Sequence, residues 1–203
     1  MTPIWHDGPL DALVWDGQSP VAWSVAETGP YAAGRQGDAR AIRRGLASAL
    51  IRKLADDSVD VRLTRSPAGA PIVSAPGGWH LSLSSRGARA LIGVARAPIA
   101  VDREVIDDHA PLWDMLTPTE ADALRRLPAL ARPQAWLRRW TIKEAHAKLI
   151  GEPRRIRPEA IETIVTDPIH ATATFEGTSR CWSRSTTDAI ETIAQWSQPW
   201  PES

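Results

Sequence analysis

The longest element that the sequence predicts is a helix from about Pro133 to Ile150, which ends at Gly151. A glycine in that place is typical of a left-handed helix cap. A shorter helix precedes it, because Thr117-Pro118-Thr119-Glu120 combines a capping threonine, a proline in the first turn and a capping-box glutamate. Segments with the pattern of strands follow at 161–165, 171–175 and 189–196. Helices followed by strands predict an α+β fold for this half of the chain.

The first half combines the same kinds of element. The helical spacing of apolar residues predicts a helix from about Asp38 to Leu54. The first 37 residues contain short apolar runs that predict one or two strands. Between Val59 and Val101 we predict a small, mainly antiparallel sheet, with strands near 59–63, 72–73, 79–84, 90–94 and 99–101. We therefore interpret the chain as an α+β protein of two similar halves, residues 1–100 and 101–203.

The composition excludes several classes of protein. The 24 acidic residues balance the 24 lysines and arginines, so no general attraction to nucleic acid or to an anionic membrane is expected. No apolar run approaches the ~18 residues that a membrane span needs, and the N-terminus lacks the regions of a secretion signal. A single cysteine, Cys181, excludes an intrachain disulfide. We expect a cytoplasmic protein with no nucleic acid and no membrane as a partner.

An acidic motif follows the apolar run Ile99-Ala100-Val101. It reads Asp102-Arg103-Glu104, and on a strand its two carboxylates point to the same face because side chains alternate. We place the two acids at the rim of a sheet, where the strand ends. Carboxylates together with substrate phosphates and water form a usual Mg²⁺ site. A solvated strand end with two unrelated acids is the alternative interpretation.

A second motif lies in the long predicted helix and reads W-T-I-K-E-A-H-A-K from Trp140 to Lys148. Trp140, Glu144 and Lys148 share one stripe of the helix, and Lys143 lies next to that stripe. The chain has only three lysines, and two of them are in this motif. The alternative is an ordinary helix, with Trp140 in the core and an i,i+4 ion pair between Glu144 and Lys148.

Together the two motifs resemble those of the 4′-phosphopantetheinyl transferases. The closest type is the single-chain, two-lobed one that activates peptide and polyketide synthetases, as in the surfactin system. The family pattern is roughly G-x-D-x-E followed by W-x-x-K-E-(A/S)-x-x-K, and the resemblance covers about residues 38–165. It implies two similar α+β lobes in a pseudo-twofold arrangement, with the active-site cleft between them, in a protein that is a monomer.

The resemblance also implies a reaction, a metal and a set of site residues. The 4′-phosphopantetheine arm of coenzyme A passes to a serine of an apo acyl or peptidyl carrier protein, releases 3′,5′-ADP and serves secondary metabolite biosynthesis. Mg²⁺ is implied at Asp102, Glu104 and Glu144. Glu144 and Lys148 are implied as catalytic, with Glu144 accepting the serine proton. The implied coenzyme-binding residues are Arg43, Ser82, Ser84, Lys143 and Lys148.

Several positions depart from the family pattern. Leu83 stands where the family has a loop histidine, and Ala70 stands where it has a lysine in a turn. Both usual residues contact phosphate. The nearby residues that could compensate are Arg86, Arg89, Arg103 and His80. The alternative function is therefore a divergent protein of this fold, with a binding or regulatory role and altered or lost use of coenzyme A.

The remaining histidines and the cysteine have no pattern of a site. His6, His109 and His170 lack metal-ligand spacing, and we interpret them as surface residues. His146 lies on another face of the helix from Glu144, and we interpret it as structural. Cys181 is interpreted as a buried small residue.

Overall fold

The computed structural model describes residues 1–27, 39–107, 109–151 and 153–198. Within these ranges the protein has eleven β-strands and three α-helices, so the predicted α+β class is confirmed. The chain divides into two compact units, Met1–Val101 and Asp102–Ser203. None of the helices in the described ranges is long and apolar enough to cross a membrane.

The first unit contains a four-stranded sheet, a separate hairpin and one helix. Its elements are β1 (Ile4–His6), β2 (Val21–Ala26), α1 (Ala39–Ala55), β3 (Arg62–Arg65), β4 (Pro71–Ala75), β5 (His80–Arg86) and β6 (Arg89–Ala95). The sheet order is β1-β2-β6-β5, and β3 pairs with β4 alone. Only β1 and β2 run parallel among these pairs. The predicted start of α1 at Asp38 lies outside the described residues, as do residues 28–37.

The core of the first unit forms where α1 packs on this sheet. The apolar stripe of the helix, with Leu46, Leu50 and Leu54 at helical spacing, is buried. It belongs to one cluster with Trp23 of β2 and Ile92 of β6. The indole of Trp23 is fully buried and satisfies its polar atom by donating a hydrogen bond to the Gly8 carbonyl oxygen at 2.9 Å.

The residues just before the acidic motif are held by close packing on β6. A Cβ at Gly93 would overlap Cγ1 of Val101 and lie 3.3 Å from Cδ1 of Ile99. Glycine at this position therefore leaves room for the side chains of Val101 and Ile99 against β6. The amide of Val101 also donates to the Ser82 hydroxyl at 3.0 Å. Gly93 and Ser82 together position the chain immediately before Asp102.

The second unit contains a five-stranded sheet and two helices. Its elements are β7 (Ala100–Val105), which begins at the end of the first unit, α2 (Pro118–Arg125), α3 (Arg132–Ile150), β8 (Glu162–Val165), β9 (His170–Thr174), β10 (Thr178–Ser185) and β11 (Ala189–Trp196). The sheet order is β7-β11-β10-β9-β8. Ile142 and Ala145 of α3 are buried in one cluster with Ala173, Cys181 and Ala194 of the sheet.

The predicted helix ends of the second unit are confirmed. Thr117 caps α2, and its hydroxyl accepts from the amide of Glu120 while the Glu120 carboxylate accepts from the amide of Thr117. This is the predicted capping box. Gly151 ends α3 with a φ of 96°, the left-handed conformation that favours glycine.

Two predictions about strands were wrong. The strand expected at 99–101 does not join the sheet of the first half, because β7 pairs with β11 in the second unit. The sequence also missed β10. Its inward positions include Ser179 and Ser183, so the apolar alternation that marks a strand is weak there. Hydrogen bonds within the second unit satisfy these serines, and Ser183 contacts Thr192 at 3.0 Å.

Candidate active site

The acidic motif lies within strand β7, the edge strand of its sheet, and not at the end of a strand as predicted. Asp102 is 3% exposed and Glu104 is half-buried. The two carboxylates share one face of the strand because side chains alternate. Two acids on the same face of a buried strand need cations or hydrogen-bond donors nearby, since burial penalises the charged form.

Helix α3 supplies such partners from one stripe. Lys148 Nζ lies 2.7 Å from Oδ1 of Asp102, and Trp140 Nε1 donates to Oε1 of Glu104 at 3.4 Å. Glu144 lies midway between Trp140 and Lys148 on the same stripe, at i+4 and i−4. Helix and strand therefore lie alongside each other, with Glu144 on the stripe of α3 that meets the acids of β7.

The donor chemistry of this region fits a hard divalent cation. Asp102 and Glu104 offer two carboxylates, and Mg²⁺ commonly takes one or two carboxylates together with water and substrate phosphates. Within the described residues, no group of three histidine, cysteine or acidic side chains is arranged to hold a metal ion by itself. Assignment of Mg²⁺ to Asp102, Glu104 and Glu144 therefore stays a prediction, in which the coenzyme's phosphates complete the coordination.

Lys143 lies in a different environment from Lys148. Its side chain is 2% exposed, and its ammonium pairs with Oε2 of Glu120 at 2.7 Å. It also donates to the carbonyl oxygens of Pro158, at 2.9 Å, and Ile161. Burial lowers the pKa of Lys143, and the hydrogen bond to Glu120 opposes that shift. Three acceptors use all three ammonium protons, so we remove Lys143 from the predicted coenzyme-binding residues.

Glu120 has a larger role than the capping box that the sequence predicted. Its carboxylate is fully buried and accepts hydrogen bonds from the amide and hydroxyl of Thr163 in β8. The Arg139 guanidinium lies 3.9 Å from the same carboxylate. One acidic side chain thus connects α2, α3 and β8. No local pattern marks this role, because a capping-box glutamate has the same appearance in the sequence whether it is exposed or buried.

Arg103 does not supply the phosphate contact for which the sequence made it a candidate. It lies on the opposite face of β7 from Asp102, and its side chain is 1% exposed. Its guanidinium forms ion pairs with Glu191 of β11 and, at 2.7 Å, with Asp188. Arg89 is likewise engaged, since it donates to the Ser24 carbonyl oxygen at 2.8 Å. Arg103 therefore anchors the strand that carries the acids.

The predicted coenzyme-binding residues of the first unit differ in their contacts and in their burial. Arg43 forms an ion pair with Glu27 at 2.9 Å, and its guanidinium donates to both carboxylate oxygens. Ser82 is buried and its hydroxyl binds the Val101 amide, whereas Ser84 is half-buried. Arg43 also lines a cavity of about 300 Å³ within this unit, together with Leu83 of β5.

The region that carries both motifs matches a known family. The family model described as the 4′-phosphopantetheinyl transferase superfamily matches residues 98–195, which include β7 and α3. Over this region, which is a little less than half of the chain, the protein is similar to the 4′-phosphopantetheinyl transferase superfamily. A comparison with curated proteins found no match. The cavity of the first unit lies outside the matched region.

The structural interpretation of His146 and Cys181 agrees with their burial. His146 is fully buried, where Nδ1 contacts the Ser179 hydroxyl at 2.8 Å and Nε2 donates to the Phe175 carbonyl oxygen at 3.0 Å. Its ring also packs edge-on against Trp196. Burial raises the pKa of the Cys181 thiol to about 12, which leaves the thiol protonated and unreactive.

We expect His146 to make folding stability depend on pH. Burial lowers its pKa below 6.5, so on acidification the unfolded chain binds a proton that the folded protein excludes. Stability is then complete above about pH 6.5 and falls below it, by at most about 1.4 kcal/mol per pH unit for this group. Urea unfolding at several pH values should show a shallower dependence for His146→Gln. His109→Gln is the matched control, because it makes the same exchange at a side chain that is 82% exposed. A His146→Gln protein with the unchanged pH dependence would contradict this assignment.

Proposed function

We propose that this protein transfers the 4′-phosphopantetheine arm of coenzyme A to a serine of an apo acyl or peptidyl carrier protein. The observation that carries the proposal is the pair of contacts between α3 and β7, from Lys148 to Asp102 and from Trp140 to Glu104. These contacts bring the helix with the W-x-x-K-E motif and the strand with the D-x-E motif side by side. The match of residues 98–195 to the superfamily model supports the same class of reaction.

The proposed step is a substitution at phosphorus. The serine hydroxyl oxygen of the carrier forms a bond to the phosphorus that carries the pantetheine arm. The bond from that phosphorus to the bridging oxygen breaks, and 3′,5′-ADP leaves with the bonding electrons. Glu144 accepts the serine proton, directly or through one water molecule. Lys148 stabilises the negative charge that develops on the phosphate oxygens, a task suited to a compact ammonium.

The residues proposed to hold Mg²⁺ are Asp102, Glu104 and Glu144. When bound, the ion would neutralise charge on the pyrophosphate and so stabilise the leaving group. Lys148 already neutralises Asp102 at 2.7 Å, which fits a site that balances its acids with cations.

The proposal is tested by mass spectrometry of a purified apo carrier protein incubated with this protein, coenzyme A and Mg²⁺. We expect the carrier to gain the mass of one phosphopantetheine arm, and the gain to require Mg²⁺ after treatment with EDTA. Asp102→Ala should lower the rate at least ~100-fold, because it removes a proposed metal ligand. Asp122→Asn is the matched control, since Asp122 lies on α2 and its side chain is 63% exposed.

One result would instead favour the alternative function. If several apo carriers remain unmodified while the folded protein binds coenzyme A or a nucleotide, the protein has a binding or regulatory role. Circular dichroism of each variant would separate loss of transfer from loss of folding.

A further inference from the structure

Arg103 stands between the two acids of β7 and points to the other face of the strand. Asp102 and Glu104 face helix α3, through the contacts from Lys148 and Trp140. Because side chains alternate along a strand, Arg103 projects from the opposite face of the sheet. Its side chain is 1% exposed. The acids on one face and the arginine on the other therefore move with the same short piece of backbone.

Arg103 binds two acids at the start of the neighbouring strand β11. Its guanidinium forms ion pairs with Glu191, whose side chain is fully buried, and with Asp188 at 2.7 Å. The carbonyl oxygen of Asp188 also accepts a hydrogen bond from the amide of Ile106 at 2.8 Å. The other oxygen of the Glu191 carboxylate pairs with Arg184 of β10 at 2.7 Å. Side chains of three adjacent strands are thus joined on the face away from α3.

Stability alone is a weak reason for this buried pair. Removing a guanidinium and a carboxylate from water costs free energy that their attraction repays only with good geometry, and an apolar pair of similar volume is often as stable. An ionic pair differs from an apolar contact in its directionality, because a guanidinium donates within a fixed plane. Strand β7 needs such a restraint, since it is an edge strand with β11 on one side. The pair between Arg103 and Glu191 therefore fixes where β7 lies against β11.

We infer that Arg103 is a positioning residue that keeps Asp102 and Glu104 in the arrangement required by a small divalent cation. This inference rests on the proposed function for the identity of the ion. Mg²⁺ demands near-octahedral geometry, whereas Ca²⁺ accepts longer bonds and more flexible coordination. A restrained pair of carboxylates favours Mg²⁺, and a loosened pair favours Ca²⁺. The pair between Arg103 and Glu191 therefore sets the selectivity of the site between the two ions.

Binding of Mn²⁺ to the full chain, followed by electron paramagnetic resonance, tests this inference. Mn²⁺ takes the same oxygen ligands as Mg²⁺. Coenzyme A is present to supply phosphates, and no carrier is added. The binding that Asp102→Ala removes is assigned to the site, and Mg²⁺ or Ca²⁺ is titrated against it. We expect Arg103→Met to weaken binding of Mn²⁺ and Mg²⁺ about tenfold, the lower end of the range for residues that orient metal ligands. Binding of Ca²⁺ should change by less than about threefold.

Arg184→Met is the matched control. It removes the other cation bound to Glu191, but Arg184 lies on β10, which β11 separates from β7. We expect it to lower the free energy of unfolding without changing the ratio of the Mg²⁺ and Ca²⁺ affinities. Asp188→Asn is a milder change, because Asp188 is 55% exposed, and it tests the inference even where Arg103→Met does not fold. It removes one charge partner of Arg103 and should shift the selectivity in the same direction, by a smaller factor.

The outcomes distinguish this inference from the proposed function. If apo carriers are not modified but the Arg103→Met and Asp188→Asn proteins lose preference for Mg²⁺, the inference stands and the proposed function fails. If carriers are modified and both variants keep the selectivity of the unaltered protein, the inference is overturned. Equal changes for Arg103→Met and Arg184→Met also overturn it, because the arginine then acts through general stability. An unaltered protein that binds no Mn²⁺ at Asp102 overturns it as well.

Discussion

Replacement of Glu144 by glutamine is expected to lower the turnover number for carrier modification by about 10²- to 10⁴-fold. The amide has nearly the same shape as the carboxylate, but it cannot accept the serine proton, and general-base catalysis contributes about this much to enzymatic rates. Glu144 lies between Trp140 and Lys148 on the stripe of α3 that contacts Asp102 and Glu104. The measurement is the initial rate of carrier modification at saturating coenzyme A and carrier.

The pH profile distinguishes a lost base from a disturbed site. If Glu144 accepts the proton, the residual activity of Glu144→Gln should rise with pH, because hydroxide or a deprotonated serine replaces the missing base. The thermal unfolding temperature should stay close to that of the unaltered protein. Asp122→Asn, an exposed carboxylate-to-amide change in the same unit, should leave the rate unchanged. A Glu144→Gln enzyme with full activity would refute the assigned role.

Replacement of Glu120 by alanine is expected to destabilise the protein by about 3–5 kcal/mol. The change leaves the Lys143 ammonium buried without its counter-charge, and it removes the acceptor of the Thr163 amide and the acceptor of the Thr117 amide in the capping box. Loss of the capping box alone would cost only about 1 kcal/mol. The measurement is the free energy of unfolding from urea titration.

Two further variants test whether loss of the buried ion pair between Glu120 and Lys143 causes the destabilisation. Asp122→Ala removes an exposed ion pair with Arg125 from the same helix and should cost less than about 1 kcal/mol. The double change of Glu120→Gln and Lys143→Met should cost less than the sum of its single changes, because neither charge is then buried alone. Equal losses for Glu120→Ala and Asp122→Ala would contradict the importance of the buried pair.

Sequence patterns within a few consecutive residues predicted those parts of the candidate site that lie on a single strand or a single helix. Alternation along a strand places Asp102 and Glu104 on one face, and helical spacing places Trp140, Glu144 and Lys148 on one stripe. The contacts from Trp140 to Glu104 and from Lys148 to Asp102 join these two sets. The caps of α2 and α3 were also predicted, because they depend on a few consecutive residues.

The pairing of strands could not be predicted in the same way. The run at 99–101 has the pattern of a strand in either half, and its sheet is chosen only by its partner β11, far along the chain. Strand β10 was missed because serines fill several of its inward positions, and their hydrogen bonds form only in the folded sheet. Alternation of apolar residues indicates a strand only where the buried side chains are apolar. It therefore does not detect a strand whose buried side chains are small and polar.

The amino-acid sequence was sufficient to predict an α+β fold and two motifs, one with Asp102 and Glu104 on one face of a strand and the other with Glu144 and Lys148 on one stripe of a helix. It did not distinguish Lys143 from Lys148, which are five residues apart on α3. Packing between elements far apart in the chain buried Lys143 against Glu120 and brought Lys148 to Asp102. The same kind of packing places Arg65 of β3 and the arginines of α1 at the wall of one cavity. The reason is physical: local spacing sets the direction of a side chain on its element, but packing between distant elements sets the partner that it meets.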